Sequence, residues 1–189
     1  SQFMQELVNP TPVVERRQPP GPVVIWNLIR RCNLTCKHCY SISADIDFKG
    51  ELSTAEVCTV MDDLKAFGVP VLILSGGEPL LRPDIFELSW RAKDMGFYVG
   101  LSSNGTLIDT DNINDIAAVG YDYVGISIDG IKKTHDRFRR KEGAFDASMN
   151  GIRLCRENGI KVGLRFTPTE DNAVERPDIL QLMQAEDIN

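Results

Sequence analysis

Three cysteines lie close together near the start of the chain, and their spacing suits metal binding. Cys32, Cys36 and Cys39 form the pattern C-x3-C-x2-C directly after an apolar run. Iron–sulfur cubanes ordinarily bind four thiolates, so three thiolates leave one iron open to a small molecule. A structural zinc site is the alternative, since zinc takes four Cys or His ligands. The loop offers only His38 as a fourth ligand, because the remaining cysteines are remote in the sequence.

A glycine-rich turn follows the second apolar run of the chain. Its residues are Gly76, Gly77, Glu78 and Pro79. Adjacent glycines let backbone groups approach a ligand closely, and a carboxylate can bind an ammonium group. Alone, such a sequence is more often a tight connection between a strand and a helix. Together with a cysteine loop at the end of the preceding apolar run, it favours a binding site.

Polar side chains also stand at the ends of the later apolar runs, and strand alternation sorts them by face. Ser102 and Asn104 share one face of the third run, Ser127 lies on one face of the fourth, and Arg165 opposes the apolar face of the fifth. We expect the apolar faces to pack on helices and the polar faces to line the interior. Ser102 and Asn104 are each also compatible with turn chemistry. Arg165 requires a buried partner or a ligand.

Apolar runs and helical patterns alternate from residue 23 onward. The predicted strands are residues 23–29, 71–75, 98–103, 123–128 and 161–167, and the predicted helices are residues 54–67, 83–95, 110–119, 144–158 and 178–185. This succession predicts an α/β fold with a parallel sheet and right-handed crossovers. About five βα units are too few to close an eight-stranded barrel. We therefore predict a partial (β/α) barrel with outer helices, truncated after about five units, with an open doubly wound sheet as the alternative.

Composition and charge restrict the class of protein. The 189 residues, of which 42% are hydrophobic and 25% charged, suit one globular domain. A net charge of −6 argues against nucleic acid as the main partner. No run is long enough to span a membrane, and the clustered cysteines favour a reducing cytoplasm over a disulfide framework. We divide the chain into an extended proline-rich lead-in at residues 1–22 and a core domain at residues 23–189.

The motifs occur in an order that resembles the radical S-adenosylmethionine (SAM) superfamily over roughly residues 23–172. The cysteine loop, Gly-Gly-Glu-Pro, Ser-Ser-Asn-Gly-Thr and Ser-Ile-Asp-Gly follow successive predicted strands. The resemblance implies a [4Fe–4S] cluster on the three cysteines, with SAM bound at the open iron and cleaved reductively. It implies SAM contacts from the following residues: His38 within the loop, Gly76, Gly77 and Glu78 at the amino group, Ser102 and Asn104 at the ribose, and Ser127 and Arg165 at the carboxylate.

Three further segments resemble the radical SAM enzymes of heme d1 biosynthesis, namely residues 24–32, 40–45 and 163–167. That resemblance implies a siroheme-derived tetrapyrrole substrate modified at its propionate side chains, and an electron donor such as flavodoxin or ferredoxin. Enzymes of the alternative heme pathway and peptide-modifying radical SAM enzymes are the near alternatives. A zinc-binding structural or interaction module is the alternative of a different class. Such enzymes carry a cysteine-rich C-terminal domain that this chain lacks, so we interpret the chain as an N-terminal part.

The other chemically capable residues receive simpler interpretations. Propionate recognition needs cations near the cluster, and we predict that one of Arg30 and Arg31 faces inward, with Lys37 close by. His135 is a second-rank site candidate. Cys58 and Cys155 are predicted to be buried core thiols. The basic residues near position 139 are predicted to form a solvated face; they are Arg137, Arg139, Arg140 and Lys141.

Overall fold

The computed structural model describes residues 21–188, and a five-stranded parallel sheet lies at its centre. The strands are β1 (Val23–Asn27), β2 (Val71–Ser75), β3 (Tyr98–Ser103), β4 (Tyr123–Ser127) and β5 (Val162–Arg165). All five predicted strands are confirmed. β5 ends earlier than predicted, because the Thr167 N–H donates to the Asp129 carboxylate at 3.0 Å. The predicted lead-in lies outside the described residues, except for its last two.

The strand order is β1-β2-β3-β4-β5, so every strand pairs in parallel with the next strand along the chain. Right-handed crossovers that all run in one direction place their helices on one face of the sheet. A doubly wound sheet instead reverses its strand order at a switch point. The doubly wound alternative is therefore wrong, and the partial (β/α) barrel is confirmed.

Six α-helices occur within residues 21–188: α1 (Thr54–Ala66), α2 (Ile85–Asp94), α3 (Ile113–Val119), α4 (Lys133–Arg139), α5 (Ala144–Glu157) and α6 (Arg176–Ala185). Ser53 and Glu56 close the capping box that begins α1. α2 begins two residues after Pro83, because a 3₁₀ turn at Pro79–Leu81 precedes it. α4 is a helix that the sequence did not predict. In the part of the chain described, none of the helices is long and apolar enough to cross a membrane.

The two faces of the sheet differ as strand alternation predicts. One face carries the fully buried side chains of Leu72, Leu101 and Val124, which form the core with the helices. Each such side chain stabilises the fold by roughly 1.5–3 kcal/mol. The opposite face carries exposed apolar residues on β1, including Ile25, and polar residues or glycines towards the carboxyl ends of β3, β4 and β5. The second face is therefore the interior of the partial barrel, and it is available to a ligand.

Candidate functional site

A cavity of about 390 Å³ lies at the carboxyl ends of the strands, where sites form in parallel α/β folds. Every predicted site residue except Glu78 lines it: Cys32, Cys36, His38, Cys39, Gly76, Gly77, Ser102, Asn104, Ser127 and Arg165. These residues come from four of the five strand ends and the cysteine loop. The structure thus gathers residues spread over more than 130 positions of sequence into one site.

Each cysteine of the loop has at least one polar neighbour at its sulfur. The Asn104 side-chain amide lies 3.8 Å from Cys32 Sγ, and Arg139 Nη1 donates to Cys36 Sγ at 3.5 Å. Cys39 Sγ lies 3.3 Å from Ser41 Oγ. The three neighbours come from the end of β3, from α4 and from the loop itself. The loop is therefore fixed by contacts to separate parts of the fold.

The thiols differ in their readiness to ionise. Burial raises the pKa of the Cys32 thiol to about 11. Burial also opposes ionisation of Cys39, but hydrogen bonds from Ser41 and Ser43 outweigh it and lower the pKa of this thiol to about 7. The thiolate is the form that binds metal. The serines that follow the loop therefore prepare Cys39 as a ligand near neutral pH.

The arrangement of the thiols suits a cluster better than a single ion. Within residues 21–188, no three His, Cys, Asp or Glu side chains converge closely enough to hold one metal ion. A structural zinc site requires four ligands about 2.0–2.3 Å from one centre. A cubane instead takes each thiolate on a different iron, so it needs thiols spread around a cavity. All three thiols border one cavity, and three thiolate donors match a four-iron cluster that keeps one iron open.

The two glycines after β2 are required by close backbone packing. A Cβ atom at Gly77 would lie 2.3 Å from the Arg31 carbonyl oxygen, and one at Gly76 would lie 2.4 Å from that of Ile29. The Gly77 N–H donates to the Ile29 carbonyl at 2.6 Å. The turn thus packs against the segment that leads into Cys32. The glycines line the cavity while they hold the cysteine loop in place.

The Glu78 carboxylate does not line the cavity, contrary to the prediction that it meets an ammonium group. It is fully buried and accepts hydrogen bonds from Ser103 Oγ at 2.9 Å, from the Asn104 N–H at 2.8 Å and from the Leu80 N–H at 3.2 Å. Burial raises its pKa to about 7 against the effect of these donors. Glu78 therefore joins the end of β2 to the end of β3, and so supports Asn104 beside Cys32.

The polar faces of β3, β4 and β5 meet as predicted. Arg165 Nη1 donates to Ser102 Oγ across the sheet, and Ser127 pairs with Arg165 in the strand register. Gly125 makes room for this arginine, since a Cβ atom there would lie 2.8 Å from Arg165 Nε. Arg165 is half-buried at the cavity wall. Its guanidinium is therefore a cation at the cavity wall.

The prediction of a solvated basic face is wrong for Arg139, although Arg137, Arg140 and Lys141 are exposed. Arg139 is buried, lines the cavity and forms an ion pair with Asp129 at 2.5 Å. The sequence analysis missed both residues as site members. The available signal was the Asp-Gly pair that begins two residues after the end of β4, because a buried acidic residue requires a partner.

The two histidines of the chain flank Asp129. His38 Nε2 lies 3.3 Å from Asp129 Oδ2, and burial lowers the pKa of His38. His135 Nδ1 accepts a hydrogen bond from the Asp129 N–H at 3.1 Å. Burial lowers the pKa of His135 to about 4, so it is neutral at physiological pH. His38 lines the cavity and His135 does not, so His135 acts as a structural neighbour of the site.

The arginine pair before Cys32 does not line the cavity. Arg31 pairs with Asp45 at 2.8 Å and with Asp47 at 3.1 Å. Arg30 donates to the Ser41 carbonyl and stacks over Phe48, 4.4 Å from the ring centre. The prediction that one of these arginines faces the site is therefore wrong. Lys37 is exposed.

The prediction of a buried core thiol is confirmed for Cys155, whereas Cys58 is only partly buried. Cys155 is fully buried in the core, and burial raises the pKa of its thiol to about 12. Cys58 is partly buried and packs against the core. Neither thiol lines the cavity.

Comparison with known proteins identifies the family of the chain. Residues 26–183 match the family model described as "Radical SAM superfamily". The chain is 50% identical over all of its 189 residues to a pre-heme d1 synthase of Dinoroseobacter shibae, and 47% identical over 179 residues, 95% of its length, to an Fe-coproporphyrin III synthase of Methanosarcina barkeri. It covers 47% and 45% of these relatives, so the chain spans about half their length.

A solved structure shares the fold. The crystal structure of Streptococcus suis SuiB bound to S-adenosylmethionine superposes with a TM-score of 0.77 at 17% identity. The match covers 90% of this chain and 40% of SuiB. At this identity the likeness establishes the architecture, which is the partial barrel described above.

Proposed function

The chain belongs to the radical SAM superfamily, and from this premise we propose that it modifies propionate side chains of a siroheme-derived tetrapyrrole, as in heme d1 biosynthesis. The observation that carries this proposal is the 50% identity to a pre-heme d1 synthase along the entire chain. Other relatives include AdoMet-dependent heme synthases at 37% identity over 90% of the chain. The activity, substrate and partners of the whole protein belong to this proposal, since the chain spans about half of these relatives.

The cofactors of the superfamily are a [4Fe–4S] cluster and SAM. Cys32, Cys36 and Cys39 would hold the cluster, because they have the C-x3-C-x2-C spacing and line one cavity. When bound, the pair supplies reductive SAM cleavage and the radical chemistry that follows, while the protein positions the reactants and excludes water. An acid–base dyad is not required for this chemistry. We also propose that an electron donor such as flavodoxin or ferredoxin reduces the cluster.

The polar wall of the cavity supports a proposed SAM site beside the cysteines. Arg165 is the cation on the strand side of this wall, and a guanidinium suits bidentate binding of a carboxylate. Ser102 and Ser127 flank it and would donate hydroxyl groups. Asn104 lies between this wall and Cys32 and would contact the ribose. Gly76, Gly77 and His38 complete the proposed lining. Glu78 does not line the cavity but accepts a hydrogen bond from the Asn104 N–H.

Turnover of didecarboxysiroheme tests the proposal. The holoprotein, reconstituted anaerobically with iron and sulfide, is incubated with SAM, a low-potential reductant and didecarboxysiroheme, and products are identified by mass spectrometry. We expect loss of mass from the propionate side chains, with SAM consumed in proportion. The Cys36→Ala variant is the control, because it removes one cluster ligand and should abolish both changes.

A second candidate has its own support, since the Fe-coproporphyrin III synthase is nearly as similar as the first relative. Formation of Fe-coproporphyrin III in the same assay would favour that activity over the heme d1 reaction. Turnover of a precursor peptide with no change in either tetrapyrrole would reject both candidates. Stoichiometric zinc without acid-labile sulfide in the purified protein would point to a zinc module.

A further inference from the structure

Arg139 is the one cation that donates directly to a sulfur of the cysteine loop within residues 21–188. Its Nη1 lies 3.5 Å from Cys36 Sγ, and its Nη2 lies 2.5 Å from Asp129 Oδ2. Only 9% of the Arg139 side chain and 1% of the Asp129 side chain are exposed. A guanidinium that is buried this far must be held by specific partners, because removing a charge from water is costly.

The contacts around Arg139 fix its position relative to the loop. The Lys37 N–H donates to the Phe138 carbonyl at 2.9 Å, so the end of α4 is bonded to the loop beside Cys36. Asp129 is held in turn by the Thr167 N–H at 3.0 Å. The Asn172 side-chain amide donates to the Asp129 carbonyl at 2.9 Å. Arg139 is thus oriented by the segments after β4 and β5 and is not free to turn away from the sulfur.

We propose that Arg139, oriented by Asp129, is a positioning residue that raises the reduction potential of the cluster through its hydrogen bond to Cys36. This inference rests on the proposed cluster site. Hydrogen bonds to the sulfurs and local charge set the potential of iron–sulfur clusters. Reduction adds one electron from the external donor and makes the cluster more negative. A cationic donor at a ligand sulfur stabilises that state more than the oxidised state.

The other sulfur neighbours in this part of the chain are uncharged. Asn104 approaches Cys32 at 3.8 Å, and Ser41 lies 3.3 Å from Cys39. These contacts orient the sulfurs but add no charge, so Arg139 is the charged hydrogen-bond donor to a loop sulfur in the described part of the chain. A residue that only braced the loop would leave the potential unchanged once the cluster had assembled. The potential therefore separates an electrostatic role from a structural one.

The test uses a double variant that avoids an unpaired buried charge. Arg139→Met alone would leave Asp129 buried without its partner, which costs several kcal/mol in typical proteins. Arg139→Met combined with Asp129→Asn removes both charges and keeps an oxygen that accepts from the Thr167 N–H. Arg137→Met is the matched control, because it removes an exposed arginine from the same helix. Arg139→Lys keeps the charge without the planar fork.

The readout is the fraction of reduced cluster at fixed solution potentials, measured by EPR on anaerobically reconstituted protein without SAM. We expect the double variant to shift the ratio of oxidised to reduced cluster about tenfold towards the oxidised form, which is about 59 mV for one electron. Arg139→Lys should recover about half of this shift, and Arg137→Met should match the parent. Thermal unfolding and iron content confirm that each variant is folded and loaded.

Two outcomes would overturn the inference. The first is a double variant that binds four irons and has the potential of the parent. The second is an Arg137→Met variant whose shift equals that of the double variant, since the effect would then not depend on contact with the Cys36 sulfur. If the double variant does not assemble a cluster, Arg139→Gln compared with Arg139→Lys gives the same measurement. Failure of the parent to bind any cluster would instead reject the proposed cofactor site.

Discussion

Two sets of charged residues lie near the cysteine loop, and they differ in what surrounds them. The inner charged groups are buried or half-buried near the carboxyl ends of the strands. They are Glu78, Asp129, Arg165 and, from the end of α4, Arg139. The outer charged groups, Arg30, Arg31, Asp45 and Asp47, lie where β1 enters the loop and in the segment that follows it. The Asp47 side chain is 91% exposed and that of Asp45 is 60% exposed, against 1% for Asp129.

The comparison shows that proximity in sequence is a poor guide to which charges act at the site. Arg30 and Arg31 directly precede Cys32 but are bonded to the following loop segment. Arg139 is 103 residues from Cys36 and touches its sulfur. An exposed ion pair is screened by water and salt, whereas a buried charge retains its full effect on its neighbours. We therefore expect substitutions of the inner charged groups to have much larger effects.

The largest effect is expected for Glu78→Ala. This change leaves the Ser103 hydroxyl and the Asn104 and Leu80 N–H groups without their acceptor in a buried site. We expect the free energy of unfolding to fall by about 3 kcal/mol, since each unsatisfied buried donor costs roughly 1–3 kcal/mol and one of these can rotate. Urea unfolding followed by circular dichroism measures the loss. Glu78→Gln has the same size, keeps one acceptor oxygen and should lose less; equal losses would show that the second carboxylate oxygen, not the cavity left by alanine, sets the cost.

The sequence was informative wherever a local rule applied. The period of two along β4 and β5 placed Ser127 and Arg165 on the interior face, and the structure confirms that arrangement. The spacing of Cys32, Cys36 and Cys39 identified the loop without any knowledge of its surroundings. Strand ends were less certain, because a strand stops where its backbone finds another partner, as Thr167 does with Asp129.

The residues that the sequence did not place depend on long-range contacts. α4 has seven polar and aromatic residues with no apolar period of helical spacing, so neither the helix nor the burial of Arg139 was predictable from its own segment. Glu78 looked like a ligand for an ammonium group because it follows two glycines. Its acceptor role depends on the approach of the β3 end, 25 residues later, which a pattern within β2 does not contain.

Arg165→Ala tests the inner charged groups at the proposed SAM site, with an intermediate effect expected. The variant removes a cation from the cavity wall and leaves Ser102 in place. We expect the affinity for SAM to fall about tenfold to a hundredfold, since a hydrogen bond to a charged group contributes roughly 1.5–3 kcal/mol. Calorimetric titration of the reconstituted protein measures it, with iron content unchanged. Arg165→Lys should retain part of the affinity. If Arg165→Ala bound SAM as tightly as the parent, the arginine would contact Ser102 but not SAM.

The smallest effect is expected for Arg31→Ala, which removes the central member of the outer charged groups. The hydrogen bond and charge of Asp45 raise the pKa of Arg31, but the guanidinium is already charged at every relevant pH, so this shift changes no protonation state. The pairs with Asp45 and Asp47 are exposed and screened by salt. We expect no measurable change in urea unfolding, and affinities for SAM and for didecarboxysiroheme within about twofold of the parent. Asp47→Asn is the matched control, because it weakens one of the same two pairs from the acidic side. If Arg31→Ala alone lost tenfold in didecarboxysiroheme affinity, the outer arginines would have to reach the substrate, and the division into inner and outer charged groups would fail.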